Sequence, residues 1–224
     1  MDRSSTAEKG YFDAFPDAKL AAMKKRPVPK DPIHAHQHAV QFYGNDDSLF
    51  TTVAGFLSEG LVAGQPAVVI ATESHTQSIL EHLTARFIDV ERARHIGDLI
   101  VLDADSTLAT FMKDDEPDPT CFKRHVGDVI AQALGGRVRT PVRAYGEMVD
   151  VLWKQQKPEA AIRLEILWNE LATTHAFSLL CGYSIGNFYK QTQQYEAVCA
   201  QHTHVIKHEE KVIPFERRKI ARTA

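Results

Sequence analysis

Pro66-Ala67-Val68-Val69-Ile70-Ala71-Thr72 decides the fold. Ala67 to Ala71 runs without a polar residue, is β-branched at its centre and follows a proline. It is too short for an ordinary helix and shows no alternation. An unbroken apolar run of this length suits a strand buried on both faces, as in a parallel sheet covered by helices on either side. Upstream, Gly60 and Gly64 stop a helix that carries Leu49, Phe50, Val53, Phe56, Leu57 and Leu61 on one face. Asp46, Asp47 and Ser48 offer its N-cap oxygens, and Ala39 to Tyr43 reads as the strand before it. Downstream, Ser74 caps a helix with Ile79, Leu80, Leu83 and Phe87, and Leu99 to Leu102 is the next strand. A short helix follows from Ser106 to Met112, then an acidic loop from Asp114 to Pro119.

The second half repeats the alternation. A helix from Phe122 to Leu134 ends at Gly135-Gly136, and Pro141 to Tyr145 is a strand leading into a helix from Glu147 to Lys154. Pro158 opens another helix at its first position, where a missing N–H costs nothing. It runs to about Thr173. Ala176 to Cys181 is a strand, Asn187 to Ala200 a helix, and Thr203 to Ile206 a final edge strand, for which we allow an antiparallel orientation. Strands alternating with helices give an α/β fold, a three-layer doubly wound sandwich around a mostly parallel sheet. Pattern alone does not give the strand order.

Composition narrows the function classes. The chain has 224 residues, 44% hydrophobic and 25% charged, with a net charge of −3. That balance gives no electrostatic grip on nucleic acid, and no apolar run approaches the ~20 residues that span a bilayer. The polar first ten residues lack a secretory h-region. Cys121, Cys181 and Cys199 are odd in number and far apart, as reduced thiols of a cytoplasmic protein would be. We divide the chain into an N-terminal extension with a Pro/Lys-rich linker (1–37), a core (38–206) and a basic C-terminal tail (207–224).

Ligands of open α/β sheets bind at the carboxyl ends of the strands. Those ends hold Tyr43, Thr72 to His75, Asp103 to Asp105, Tyr145 to Glu147 and Cys181 to Tyr183. A phosphate cradle needs G-x-x-x-x-G-K-[ST]. Gly44-Asn45-Asp46-Asp47-Ser48 offers one glycine, no lysine and two carboxylates that repel phosphate. The dinucleotide pattern G-x-G-x-x-G is also missing. Gly182-Tyr183-Ser184-Ile185-Gly186 has the look of a nucleophile elbow, but a glycine-rich turn between strand and helix explains it without chemistry. Cys181, ending an apolar strand, reads as a small buried hydrophobe. His34, His36 and His38 share one face of an extended segment, and His202, His204 and His208 form a second cluster. Metal binding is conceivable there, yet a polar linker and an edge strand that happen to be rich in histidine are the plainer reading, so we assign no metal. Glu165, Trp168 and Asn169 share a helix face at i, i+3 and i+4, where an ordinary core stripe is the plainer reading.

Seven blocks in order carry a family likeness. They are His38-Ala39-Val40-Gln41-Phe42-Tyr43 with Asp46-Asp47, Phe56 to Leu61 with Gly64, and Ala71 to His75. Arg143 to Val149 with Leu152-Trp153, Leu164-Glu165 with Leu167-Trp168-Asn169, Leu180 to Tyr183, and Cys199 to Ile206 complete the set. From His38 to Ile206 the chain resembles the MEDS domain (methanogen/methylotroph, DcmR sensory domain). The resemblance implies a sensory domain of RecA/KaiC-like fold without a functional phosphate loop, sensing small molecules such as hydrocarbon derivatives. Family members often precede histidine kinase or DNA-binding modules. Nothing after Ile206 resembles either, so the expectation is a stand-alone sensor acting through a separate signalling protein. The family's usual closing run is replaced here by Lys207-His208-Glu209-Glu210-Lys211.

On this basis we take a small organic ligand lined by Tyr43, Tyr145, Glu147, Glu165, Trp168, Asn169 and Tyr183, with His38 and His75 as polar contacts. No catalytic residue and no cofactor are assigned, and self-association is left open. An atypical nucleotide-binding protein and a ligand-free interaction module are the alternatives.

Overall fold

The computed structural model describes residues 37–138 and 140–206. The extension, the basic tail, His34, His36 and His208 lie outside the described residues. In chain order the elements are β1 (His38–Tyr43), α1 (Asp46–Val62), β2 (Ala67–Ala71), α2 (Glu73–Ala85), α3 (Val90–His95), β3 (Leu99–Asp103) and α4 (Ala104–Ala109). There follow β4 (Met112–Lys113), β5 (Glu116–Pro117), α5 (Pro119–Leu134), β6 (Val142–Gly146), α6 (Met148–Lys154), α7 (Pro158–Leu171), β7 (Phe177–Ser184), a 3-10 turn (Ile185–Phe188), α8 (Thr192–Gln201) and β8 (His204–Ile206).

Six strands form one parallel sheet in the order β3-β2-β6-β7-β1-β8. β2 is buried at every position, as its unbroken apolar run requires. Burying each of Val68, Val69 and Ile70 contributes about 1.5–3 kcal/mol. Side chains alternate between two cores. Tyr43, Val69, Tyr145 and Leu180 face α1, α2 and α3. Val40, Phe42, Val68, Ala144, Leu179, Cys181 and Tyr183 face α4 to α8.

The topology marks a particular place at the carboxyl edge. After β1 and β2 the chain travels toward the β3 edge across the α1–α3 face. After β3, β6 and β7 it travels toward the β8 edge across the other face. Neighbouring strands β2 and β6 therefore send their connections apart. Such a switch point is where open α/β sheets hold ligands.

Local chemistry corrects several sequence expectations. The N-cap of α1 is Asn45, whose Oδ1 accepts from the Ser48 N–H at 2.9 Å, with Asp46 and Asp47 inside the first turn. Thr72, not Ser74, stands at the N-cap of α2. α1 runs through Gly60, and the turn after it uses Gly64 at φ 74°. The helix expected over Ser106 to Met112 shifts to α4, which Asp103 caps by accepting from the Ser106 N–H at 2.7 Å. The acidic loop forms the antiparallel hairpin β4–β5, and α3 lies where no element was read. The segment Asn187 to Ala200 divides into the 3-10 turn and α8.

Two corrections concern strands beside the site. β8 pairs with β1 in parallel, not antiparallel. β7 continues past Cys181 through Gly182, Tyr183 and Ser184, so the elbow-like sequence is strand up to Ser184, and Ile185-Gly186 opens the 3-10 turn. Gly182 answers to a close approach: a Cβ there would lie 2.8 Å from the Tyr145 hydroxyl.

Candidate functional site

Eight of the nine candidate residues divide between two polar clusters on opposite faces of the sheet. The first lies at the switch point. Glu147 follows β6 directly and turns its carboxylate across the end of β2. Its Oε1 accepts from the Thr72 N–H at 2.6 Å. Its Oε2 pairs with His75 Nδ1 at 2.6 Å and accepts from the Tyr145 hydroxyl at 3.0 Å. The far nitrogen of His75 faces Asp46 at 4.0 Å. Burial would raise the Glu147 pKa, but His75 and the Thr72 N–H outweigh it and hold the carboxyl below its ordinary value. The same bond raises His75 against the opposing effect of burial.

A second carboxylate supports the first. Asp150 accepts from the Ser184 N–H at 2.9 Å, from Asn187 Nδ2 at 2.6 Å and from the Tyr43 hydroxyl at 3.2 Å. Lys154 Nζ pairs with it at 2.8 Å. Burial, with Asp150 adding to it, raises the Tyr43 phenol well above its ordinary range. Glu147 and Asp150 are buried, whereas Asp46 and Lys154 are exposed, so the cluster runs from the core to the surface. Chemically it offers carboxylate acceptors, a histidine proton and phenol donors within one edge of the sheet. Sequence reasoning missed Asp150 and Lys154. The available signal was a lone acid inside the apolar run Met148 to Trp153.

The second cluster lies under α7 and α8 on the other face. His38 begins β1, Cys181 and Tyr183 stand on β7, Glu165 and Asn169 on α7, and His202 at the end of α8. Glu165 Oε2 lies 3.1 Å from His38 Nε2, and its Oε1 accepts from the Tyr183 hydroxyl at 2.9 Å. Cys181 Sγ is 3.4 Å from both His38 Nε2 and Glu165 Oε2. All four of His38, Glu165, Cys181 and His202 are buried. Burial, reinforced by His202, pushes His38 below its ordinary pKa. Burial, with Glu165 beside it, raises the Cys181 thiol well above its own.

Helical spacing brought Glu165 and Asn169 together as read, but Trp168 parts from them. Its ring packs edge-on against Phe122 and Phe177 at 5.3 and 5.6 Å in the apolar core. Among the sequence candidates Tyr43, His75, Tyr145 and Glu147 share the edge cluster; His38, Glu165, Asn169 and Tyr183 share the inner one. Cys181 and His202, read separately as a hydrophobe and as part of a polar cluster, join the inner group.

The family model described as MEDS: MEthanogen/methylotroph, DcmR Sensory domain matches residues 37–203, well over half of the chain. The chain belongs to the MEDS family. No curated protein matches it. The MEDS match starts one residue before β1 and ends one residue before β8. Among the described residues it therefore takes in both polar clusters and leaves out only the last strand. The family is one of sensory domains. None of the described helices of this MEDS domain is long and apolar enough to cross a membrane.

Proposed function

We propose that this MEDS domain is a signal-sensing module that binds a small organic ligand at the carboxyl edge between β2 and β6. We further propose that it relays occupancy to a partner protein such as a histidine kinase or a transcription regulator. The observation that carries the reading is Glu147. One buried carboxylate ties the start of α2, through Thr72 and His75, to Tyr145 on β6. A ligand that competes for Glu147 or His75 loosens or tightens α2 against the sheet, and α2 reaches the surface. Polar groups at a switch point are what fix the orientation of small ligands in such folds. The acceptors present favour a compact molecule carrying a hydroxyl or amine donor beside an apolar part.

Asp46 and Asp47 in the first turn of α1 speak against a nucleotide, because a helix N-terminus that attracts phosphate is already flanked by negative charge. The test is thermal melting of the full chain against small alcohols, amines and hydrocarbon derivatives, with ATP and ADP alongside. Anything that binds only the folded state raises Tm. A rise with an organic compound that Glu147→Gln abolishes supports the reading. A rise with ATP or ADP instead overturns it.

A further inference from the structure

The inner cluster has the donor set and spacing of a metal site. His38 Nε2, Glu165, Cys181 Sγ and His202 Nε2 lie within 4.8 Å of one another, and all four residues are buried. The tautomers follow from neighbouring groups. His202 Nδ1 lies 2.7 Å from the Val198 carbonyl oxygen, which can only accept, so Nδ1 carries the proton. Asn169 Nδ2 donates to the Gln201 carbonyl at 2.9 Å, which turns its Oδ1 toward His38 Nδ1 at 3.0 Å. That nitrogen also carries the proton. With Nδ1 protonated on both, each ring turns its Nε2 toward the carboxylate. A metal-ligating histidine is held in the same way, by an outer N–H bonded to a carbonyl.

His202 supplies an independent sign. Its Nε2 is buried and has no partner in hydrogen-bond geometry, with Glu165 Oε1 3.4 Å away. A buried Nε2 that faces a carboxylate needs a proton or a cation between them. Of the neighbouring hydrogens, that of Tyr183 is spent on Glu165 Oε1. The separations of 3.1 and 3.4 Å approach the edges of a tetrahedron with bonds of about 2.0–2.3 Å, which are roughly 3.3–3.8 Å.

We propose that His38, Glu165, Cys181 and His202 bind one divalent transition-metal ion of borderline softness, Zn²⁺ by preference, in a closed four-coordinate site. Two imidazoles, a carboxylate and a thiolate suit that ion better than Mg²⁺ or Ca²⁺, which demand oxygen ligands. On binding, the hydrated ion loses its waters and Cys181 releases its thiol proton to solvent; no electron moves. The two anionic ligands balance the ion's charge. With every ligand supplied by the protein and none exposed, the ion ties β1, β7, α7 and the end of α8 together. Cys181 and Glu165 reach it from parts of the chain distant from the histidines. The site does not depend on ligand binding at the switch point, and neither proposal stands or falls with the other.

The experiment is metal counting on the full chain purified without chelator, followed by Co²⁺ substitution read by absorption. We expect one equivalent of metal, a thiolate-to-cobalt charge-transfer band and the intense visible bands of tetrahedral Co²⁺. Cys181→Ser should remove the charge-transfer band, and Asn169→Ala, which frees the His38 ring, should weaken metal retention about 10–100-fold. Cys121→Ser and His75→Gln should change neither. Where a variant fails to fold, the wild-type cobalt spectrum and metal count decide alone. No metal above trace, no band after incubation with Co²⁺ and a Tm indifferent to Zn²⁺ and chelator would show that the cluster shares a proton instead, and the proposal would be overturned.

Discussion

His75 Nδ1 and Glu147 Oε2 approach to 2.6 Å, joining the first turn of α2 to the residue that follows β6. Asp46 and Lys154 are the other charged groups that bear on His75, the first raising its pKa and the second lowering it. His75 is raised above 6.5 in the fold, so its contribution is complete below about pH 6.5 and is lost as pH climbs through the raised value. Glu147 is lowered below 4.5, so its contribution is present above about pH 4.5 and is lost as pH falls through the lowered value. Urea melts of wild type and His75→Gln across pH 4 to 9 (roughly the span in which these groups titrate) should differ most between those limits, by about 1.5–3 kcal/mol. The gap should close at alkaline pH. A constant gap at all pH values would mean that the pair is not an ion pair.

Asp150 holds the carboxyl ends of β1 and β7 together through Tyr43, Ser184 and Asn187. Asp150→Ala strands three donors and leaves Lys154 unmatched, and it should cost about 3–5 kcal/mol in denaturant melts. Lys154→Met removes a half-exposed partner and should cost under about 1 kcal/mol. Equal losses would show that the charge of Lys154, rather than the hydrogen-bonded network, sustains Asp150.

Gly182 leaves room for the Tyr145 hydroxyl to reach Glu147. Gly182→Ala drives a methyl into that hydroxyl and toward Leu49, and overpacking of this kind costs typically about 1–3 kcal/mol. Tyr145→Phe in the same chain should return part of the loss. A double-mutant cycle with no coupling between the two would contradict the contact.

Trp168 is a packing residue, wedged edge-on between Phe122 and Phe177. Trp168→Ala should cost about 3–5 kcal/mol and leave the affinity for a bound organic ligand unchanged in calorimetry at a temperature where the variant is folded. Loss of affinity without loss of stability would place the indole in the site after all.

The layers were legible in the sequence because β2 and the apolar face of α1 are long, regular signals. β8 was legible as a strand but not in direction, since its three residues carry no pattern that separates parallel from antiparallel. The hairpin β4–β5 has two residues per strand and offered no signal at all. Glu165 and Asn169 could be grouped because helical spacing is local. The inner cluster could not, since Cys181 meets His38 across 143 positions. A search for ligands beside each histidine run looks along the chain, and here the carboxylate and the thiol arrive through tertiary packing. Asp150 hid for a related reason: its partners are a phenol from the end of β1 and a backbone N–H and an amide from the end of β7 and the turn after it.

The most direct test of ligand binding at the switch point is histidine-ring NMR of the full chain, titrated with whichever organic compound raises Tm. We expect the His75 ring resonances to shift and saturate with the compound while those of His38 and His202 hold still. Shifts confined to His38 and His202, with His75 unmoved, would contradict a binding site between β2 and β6.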